Sequence, residues 1–200
     1  MKRVFVLIAN KAVTKPFNLN DLAGSAGRMD IACRFISQSL FISHGIRKNS
    51  EVYVILKGEP DPPKTLRIIG NDVKYLAPDE RNIGGMIKKA LKENVDKKWK
   101  KVSHGVYISK KGLGELLEEL EGNFYYLKED GKDIATVQIL DPIFILGDHL
   151  GVSEEDERKI MKKAEKISLG KISYQADQCV TILNYILDKR NLNNRQRRIT

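Results

Sequence analysis

The sequence predicts an α/β fold with a parallel-sheet core. Short β-branched and aromatic runs alternate with amphipathic helical runs along almost all of the 200 residues, which is the pattern of strand–helix–strand units. Between Phe124 and Leu187, three apolar runs of strand length each end in a short turn with a glycine. No internal repeat and no Pro/Gly/Ser linker divides the chain, so we expect one domain over residues 1–200.

The first predicted elements are a strand and a long helix. Residues 2–9 form a β-branched and aromatic run, and a polar loop follows as far as Asn20. From Met29 the apolar residues recur with a helical period. Because Arg34 lies four residues after Asp30, the two side chains can share one face of that helix.

The middle of the chain predicts a mixture of short strands and helices. Pro78 and the acidic residues after it favour a helix start, and Gly70-Asn71-Asp72 suits a hairpin turn. The predicted elements are strands Val52–Leu56, Thr65–Ile69, Val73–Leu76 and Val106–Ser109, with helices from Pro78 to about Val95 and from Gly112 to Leu120.

Two more helices are predicted near the C-terminus. Ser153 and the acidic residues after it make a capped helix start. The last helix is predicted to start at Ser173. Its apolar stripe comprises Ala176, Cys179, Val180, Leu183, Ile186 and Leu187. Residues 190–200 are predicted to be a solvated basic tail, although such tails can also fold onto RNA.

The net charge of +9 is concentrated at the two ends of the sequence. Residues 1–50 carry eight basic and two acidic side chains, and residues 151–200 carry eleven and seven, whereas residues 51–150 are almost balanced. If the ends meet in the fold, they could form one phosphate-binding face. Charge that serves only solubility is the equally weighted alternative.

Composition argues against metal sites, disulfides and membrane spans. Cys33 and Cys179 lie far apart without a C-x-x-C partner, and the three histidines form no ligand cluster with Cys or Asp. No apolar run approaches the roughly 20 residues that cross a bilayer. The basic, apolar N-terminus lacks a small-residue cleavage site, so it indicates a strand. We expect a soluble, intracellular protein without a metal.

The three turns after the last strands predict a small-ligand pocket. They are Leu127–Gly131, Leu146-Gly147-Asp148 and Ser168–Lys171. Since α/β proteins bind ligands at the carboxyl ends of parallel strands, these turns are expected to converge. Taken alone, Gly147-Asp148 and Leu169-Gly170 are more often simple turns at the entry to a helix.

Arg28 and Asp30 stand at the start of the first long helix and have two interpretations. They are either a surface pair at a helix terminus, or a phosphate-holding arginine beside a proton acceptor. Arg47, near Gly45, has the same ambiguity. The common phosphate-loop, hydrolase and dinucleotide motifs are absent from the sequence.

Together these segments resemble a known enzyme family. The loops LKEDG, LGDHLG and SLGKISYQADQC resemble those of the SPOUT class of RNA methyltransferases. With DLAGSAGRMDIACRFISQSLFISHGIR and the PDER turn, nearly the whole chain is most similar to the archaeal tRNA (pseudouridine(54)-N(1))-methyltransferases. The small-subunit rRNA pseudouridine N1-methyltransferases share the fold and the R-x-D motif.

The resemblance implies a fold, a cofactor and a set of site residues. It implies a single SPOUT-type domain, with RNA-facing motifs in residues 1–120, a C-terminal trefoil knot within residues 121–189, and a homodimer. The implied S-adenosylmethionine contacts are Leu127, Gly147, Ser168, Leu169, Gly170, Lys171, Ile172 and Cys179. Arg28 and Asp30 match the target-base motif, with Arg28, Arg34 and Arg47 as RNA contacts.

The implied reaction is methylation of N1 of pseudouridine 54 in the T-loop of tRNA. It needs S-adenosylmethionine but no metal, and Asp30 is expected to act as a base or to orient the uracil edge. The target base would have to flip out of the T-arm. The alternatives are the same chemistry on small-subunit rRNA, or a non-catalytic RNA-binding assembly protein of this fold.

Overall fold

A computed structural model describes residues 1–196, with side chains as far as Arg190. A single eight-stranded sheet forms the centre, and a two-stranded hairpin stands apart from it. The strands are β1 Arg3–Ala9, β2 Phe41–Ile42, β3 Gly45–Ile46, β4 Ser50–Leu56, β5 Lys64–Ile69, β6 Lys100–Ser103, β7 Val106–Ser109, β8 Asn123–Asp133, β9 Pro142–Gly147 and β10 Ala164–Ser168. The helices are α1 Met29–Leu40, α2 Glu80–Ala90, α3 Leu113–Glu119, α4 Glu154–Ile160 and α5 Ala176–Gln196, with a 3-10 turn at Ile134–Thr136.

The sheet has the order β10-β8-β9-β1-β4-β5-β7-β6. The first five strands in that order are mutually parallel, and the last three alternate in direction. This confirms the α/β fold with a parallel core. β1 pairs on both sides and is buried along its whole length, which explains its uninterrupted apolar sequence.

Two apolar layers cover the two faces of the sheet. Phe5 and Leu7 of β1 point into the larger core, together with α1, α2 and α5. Val6 and Ile8 point to the opposite face, where α3 and α4 cover a smaller core. This alternation follows from the two-residue period of a strand. Within residues 1–196, no helix is both long and apolar enough to traverse a bilayer.

The predicted hairpin between Thr65–Ile69 and Val73–Leu76 is wrong. β5 pairs instead with β7, with Ile68 opposite Val106, and residues 73–76 form no strand. The β6–β7 turn packs so closely against Val73 that a Cβ on Gly105 would lie 2.3 Å from the Val73 nitrogen. The sequence prediction also missed β6, because its two lysines and exposed face are typical of a sheet edge rather than a core strand.

The ends of two helices also differ from their predicted positions. Asp79 caps α2 by accepting a hydrogen bond from the Asn82 amide, and α2 ends at Ala90 rather than near Val95. α5 begins at Ala176 rather than Ser173. The residues between Ser173 and Ala176 instead line a cleft that is described below.

The last helix extends into residues 190–200, for which a solvated basic tail is predicted; the solvation of that tail stays a prediction. α5 continues to Gln196. The Arg190 guanidinium donates hydrogen bonds to the carbonyls of Val137 and Ile134, at 3.0 and 2.6 Å. Packing against the 3-10 turn therefore holds this part of the helix. Residues 197–200 lie outside the described residues.

A buried ion cluster joins the N-terminus to α5. Arg3, only 2% exposed, donates to Asn184 at 2.7 Å and to Asp188 at 2.9 Å. Arg47 donates to both carboxylate oxygens of Asp188, at 3.1 and 2.7 Å. Burial alone would raise the pKa of Asp188, but the hydrogen bonds and charges of Arg47 and Arg3 outweigh it and lower that pKa.

Replacing Asp188 with Asn is expected to lower the free energy of unfolding by about 2 kcal/mol at pH 7. Losing one partner of a fully buried ion pair costs roughly 3–5 kcal/mol, and the cost is smaller here because the Asp188 side chain is 40% exposed. Urea titrations of both proteins would measure the difference.

The difference should also depend on pH with a definite sign. Since the folded-state pKa of Asp188 is lowered, its contribution is complete above the unfolded pKa of about 3.9 and disappears as the pH falls through the folded pKa. A difference that grows on acidification would contradict this assignment.

Candidate active site

The first predicted turn is a bulge inside β8 rather than its end. β8 pairs with β10 in two segments, with Tyr126 opposite Lys166 and then Lys132 opposite Ile167. The residues from Leu127 to Gly131 have no paired partner in β10 and form the bulge. The strand resumes and ends at Asp133. The prediction that this strand ends at the turn is therefore wrong.

The three predicted loops meet at a cleft of about 600 Å³. This volume lies within the range of small-molecule sites. Six of the eight predicted cofactor contacts line the cleft, namely Leu127, Gly147, Leu169, Gly170, Ile172 and Cys179. Ser168 and Lys171 do not line it.

Ser168 instead ties the first loop to the third. Its hydroxyl accepts a hydrogen bond from the Gly170 amide at 2.9 Å and lies 3.1 Å from the Glu129 carbonyl oxygen, to which it can donate. The interaction with the Ser173 side chain, followed by that with its own backbone amide, lowers the pKa of Glu129. Ser168 therefore fixes the cleft wall.

Asp148 anchors the second loop to the end of β1. Its carboxylate accepts hydrogen bonds from the Asn10 amide at 2.7 Å, the Asn10 side chain at 2.8 Å and the Leu150 amide at 2.9 Å. The Asp148 side chain is only 3% exposed. These bonds close the turn and leave backbone atoms on the cleft wall.

The loop before α1 carries Arg28 into the same cleft. Gly27 and Arg28 both have left-handed backbones, with φ values of +66° and +63°. A Cβ on Gly27 would lie 1.9 Å from the Lys11 carbonyl oxygen, so only glycine fits there. Arg28 is a non-glycine residue in this region, and such strain is concentrated at functional sites.

Asp30 holds two cleft arginines in place. Arg28 donates to both of its carboxylate oxygens, at 3.0 and 3.1 Å, and Arg34 lies 3.0 Å from Oδ2, which confirms that Arg34 and Asp30 share one face. Burial would raise the pKa of Asp30, but these two arginines lower it below its ordinary value. Arg28 and Arg34 line the cleft, whereas Asp30 lies behind them.

Arg34 is shared by three carboxylates. Besides Asp30, it contacts Glu80 at 3.2 Å and Asp177 at 3.7 Å. The start of α1, the start of α2 and the first turn of α5 therefore meet at one guanidinium. Arg47 is not part of this group, because it pairs with Asp188 in the buried cluster.

Several cleft residues were not predicted as site residues. They include Tyr126, Lys128, Glu129, Asp148, His149, Tyr174, Gln175 and Asp177. Asp148 and Glu129 stood inside the quoted turns, so their position was a usable signal. Asp177 gave none, because an acid in the first turn of a helix is common for electrostatic reasons alone.

Cys179 lines the cleft as an inert thiol. Burial, followed by the charges of Glu129 and Asp177, raises its pKa to about 11. A nucleophilic cysteine needs a lowered pKa, so Cys179 contributes apolar surface, as its place on the α5 stripe predicts. In the part of the chain from Met1 to Gln196, no three His, Cys, Asp or Glu side chains converge as metal ligands would.

The chain belongs to a class of enzymes that methylate RNA. Residues 2–192 match the family model described as "Putative SAM-dependent RNA methyltransferase", and the chain belongs to that family. It is 43% identical to the tRNA (pseudouridine(54)-N(1))-methyltransferase of Methanocaldococcus jannaschii, over 95% of this chain and 98% of that protein. Its identity to the protein of the same name from Methanosarcina acetivorans is 46%, covering 94% of this chain and 91% of that one.

A solved structure shares the fold at low sequence identity. The crystal structure of Archaeoglobus fulgidus Nep1 bound to S-adenosylhomocysteine aligns with a TM-score of 0.60. The alignment covers 91% of this chain and 94% of that one, at 14% identity. It supports the mixed α/β architecture alone.

The cleft residues fit S-adenosylmethionine. Leu127, Leu169 and Ile172 offer apolar surface suited to an adenine ring. A Cβ on Gly170 would meet no atom within 4 Å, so the backbone there faces open space. Carboxylates on the cleft suit a ligand that carries ammonium and sulfonium charges.

Replacing Gly27 with Ala should destabilise the fold by about 1–3 kcal/mol, because the strained loop cannot accept a Cβ. The matched control is Gly85→Ala on α2, where a Cβ meets no atom within 4 Å. That change should be neutral or stabilise by up to about 1 kcal/mol. Urea unfolding of both variants measures the contrast, and equal effects would contradict it.

Proposed function

We propose that this chain is a methyltransferase that methylates N1 of pseudouridine 54 in the T-loop of tRNA. One observation carries the proposal: Arg28 and Arg34, both paired with Asp30, line the same cleft as the three C-terminal loops. Relatives at 43–46% identity over nearly the whole chain bear the name of this activity. A methyl donor and a target base both need room in one site, and this cleft offers two differently built walls.

The loops would hold the methyl donor. Leu127, Leu169, Gly170, Ile172 and Cys179 would contact it, and Gly147 would bring backbone close to it. When bound, S-adenosylmethionine supplies the methyl group. Ser168 would act indirectly, by fixing the first and third loops to each other.

The N-terminal arginines would hold the RNA. Arg28 is 37% exposed on its side chain and Arg34 is 30% exposed, so both can reach a phosphate or a base oxygen. Asp30 would orient them as a buried counter-ion, since its lowered pKa makes it a weak base. Arg47, paired with Asp188, remains only a predicted RNA contact.

The remaining parts of the proposal concern architecture and setting. We propose one SPOUT-type domain with a trefoil knot in residues 121–189, since β10 lies beyond β8 in the sheet and α5 returns to pack on α1. We also propose a homodimer that binds the T-arm in the cytoplasm. Because the target base lies inside a folded arm, it would flip into the cleft.

Incubation with labelled S-adenosylmethionine and T-arm RNA tests the function directly. Label should enter RNA that contains pseudouridine at position 54, and not the same RNA with uridine there. Equal labelling of both RNAs, or of neither, would overturn the proposal. A competing small-subunit rRNA fragment that contains pseudouridine should not displace the tRNA substrate.

Two substitutions should separate the two walls of the cleft. Asp30→Ala should lower kcat by about 100-fold, because catalytic positioning is lost, and should leave the affinity for S-adenosylmethionine unchanged. Gly170→Val should lower the affinity for S-adenosylmethionine and leave kcat unchanged. The reason is that a side chain on this residue, whose φ is +121°, would enter the open space beside the loops. Calorimetry and turnover measure each variant. Loss of cofactor affinity in Asp30→Ala would mean that Asp30 has been misassigned.

A further inference from the structure

Asp177 lies on the cleft, and no role described above accounts for it. Its side chain is 14% exposed, and its Oδ1 is buried without a hydrogen-bond partner. Its Oδ2 is 3.7 Å from Nε of Arg34, which is too long for a hydrogen bond. Because Oδ1 has almost no accessible surface, the part of this side chain that is exposed to the cleft is on the Oδ2 side, and Oδ2 can accept a hydrogen bond from a ligand there.

A capping role does not explain this carboxylate. An acid in the first turn of a helix is favoured by the helix dipole, and a capping side chain accepts a hydrogen bond from a backbone amide. At this helix start the Gln178 side chain accepts from the Gln175 amide, whereas Oδ1 of Asp177 accepts nothing. Neither oxygen serves as a cap, so Oδ2, which has no hydrogen-bond partner among the described residues, is available to a ligand in the cleft.

The charges around Arg34 leave Asp177 the least neutralised of three carboxylates. Asp30 is held by both Arg28 and Arg34 at 3.0–3.1 Å, and Glu80 lies 3.2 Å from Arg34. Two guanidiniums thus face three carboxylates, with Asp177 the farthest from its partner. Glu129 and Asp177 also lie close enough to the Cys179 thiol for their negative charges to raise its pKa.

Pseudouridine and uridine differ at the edge that such a carboxylate can recognise. In pseudouridine the ribose is bonded to C5, so N1 carries a proton that can be donated. Uridine presents a C5–H at that position, which is a poor donor. A carboxylate with a free acceptor beside the flipped base would therefore distinguish the two nucleosides.

We infer that Asp177 accepts the N1–H hydrogen bond of the target pseudouridine and takes its proton during methylation. This inference rests on the proposed function. In the step, the N1–H bond breaks toward Oδ2, the N1–CH₃ bond forms, and the S–CH₃ electron pair returns to sulfur. The carboxylic acid then releases its proton to water. Asp30, with both oxygens engaged by arginines, keeps the positioning role.

Binding and turnover test the inference separately. T-arm RNAs with pseudouridine or uridine at position 54 are titrated by fluorescence anisotropy in the presence of S-adenosylhomocysteine. The wild type should bind the pseudouridine RNA about tenfold more tightly, as a charged hydrogen bond allows. Asp177→Ala, which removes both acceptor oxygens, should bind both RNAs equally. The control Glu154→Gln, an exposed first-turn acid of α4, should keep the preference.

Turnover should report the proton transfer. Asp177→Asn should lower kcat by at least about 100-fold, with kcat rising through alkaline pH as N1 ionises in solution, whereas the wild type stays level. Asp177→Glu should recover part of the rate, and unchanged affinity for S-adenosylhomocysteine would show that each variant is folded.

The results that overturn the inference differ from those that overturn the proposed function. Equal binding of the two RNAs by the wild type, or an Asp177→Asn rate within threefold of the wild type, removes the role of Asp177. If the wild type prefers the pseudouridine RNA but labels neither RNA, the recognition role of Asp177 stands and the proposed methyltransferase function is overturned.

Discussion

The parallel pairing of β1 with β9 is the constraint on which the rest of the site depends. It sets Ile8 opposite Gly147, and the Ile8 carbonyl accepts from the Asp148 amide at 3.1 Å. Asn10, two residues beyond Ile8, then reaches the Asp148 carboxylate. The N-terminal loop and the second C-terminal loop therefore leave the sheet at the same edge, although they are separated by about 140 residues of sequence.

The carboxylates of Asp30 and Asp177 differ in how many partners they have. Asp30 is saturated by two arginines, which makes it a good positioning group and a weak base. Asp177 has a buried oxygen without a donor. In a partly buried site such a difference in partners matters, since each unmade hydrogen bond to a charged group costs about 1.5–3 kcal/mol. The fold thus places a fully paired carboxylate and a weakly paired one around the same arginine, Arg34.

One stabilising ion cluster lies away from the cleft. The Arg3–Asp188–Arg47 cluster joins β1, α5 and the segment after the β2–β3 hairpin at the other end of the strands. It fixes α5, whose first turn carries Asp177 and Cys179 into the cleft. Arg47, which is predicted to contact RNA, is also a partner of Asp188 in this cluster.

The sequence by itself determined the local elements and the chemistry available. Strand and helix periods gave β1, α1 and the apolar stripe of α5, and the Gly-bearing turns marked three of the cleft walls. Tertiary structure decided which segments met: that β5 pairs with β7, that the first turn is a bulge within β8, and that Arg47 turns to Asp188. Local sequence patterns indicate the period of a strand or helix and the cap of a helix, but they do not indicate which distant segment an element pairs with. Only long-range packing could leave one oxygen of Asp177 without a donor.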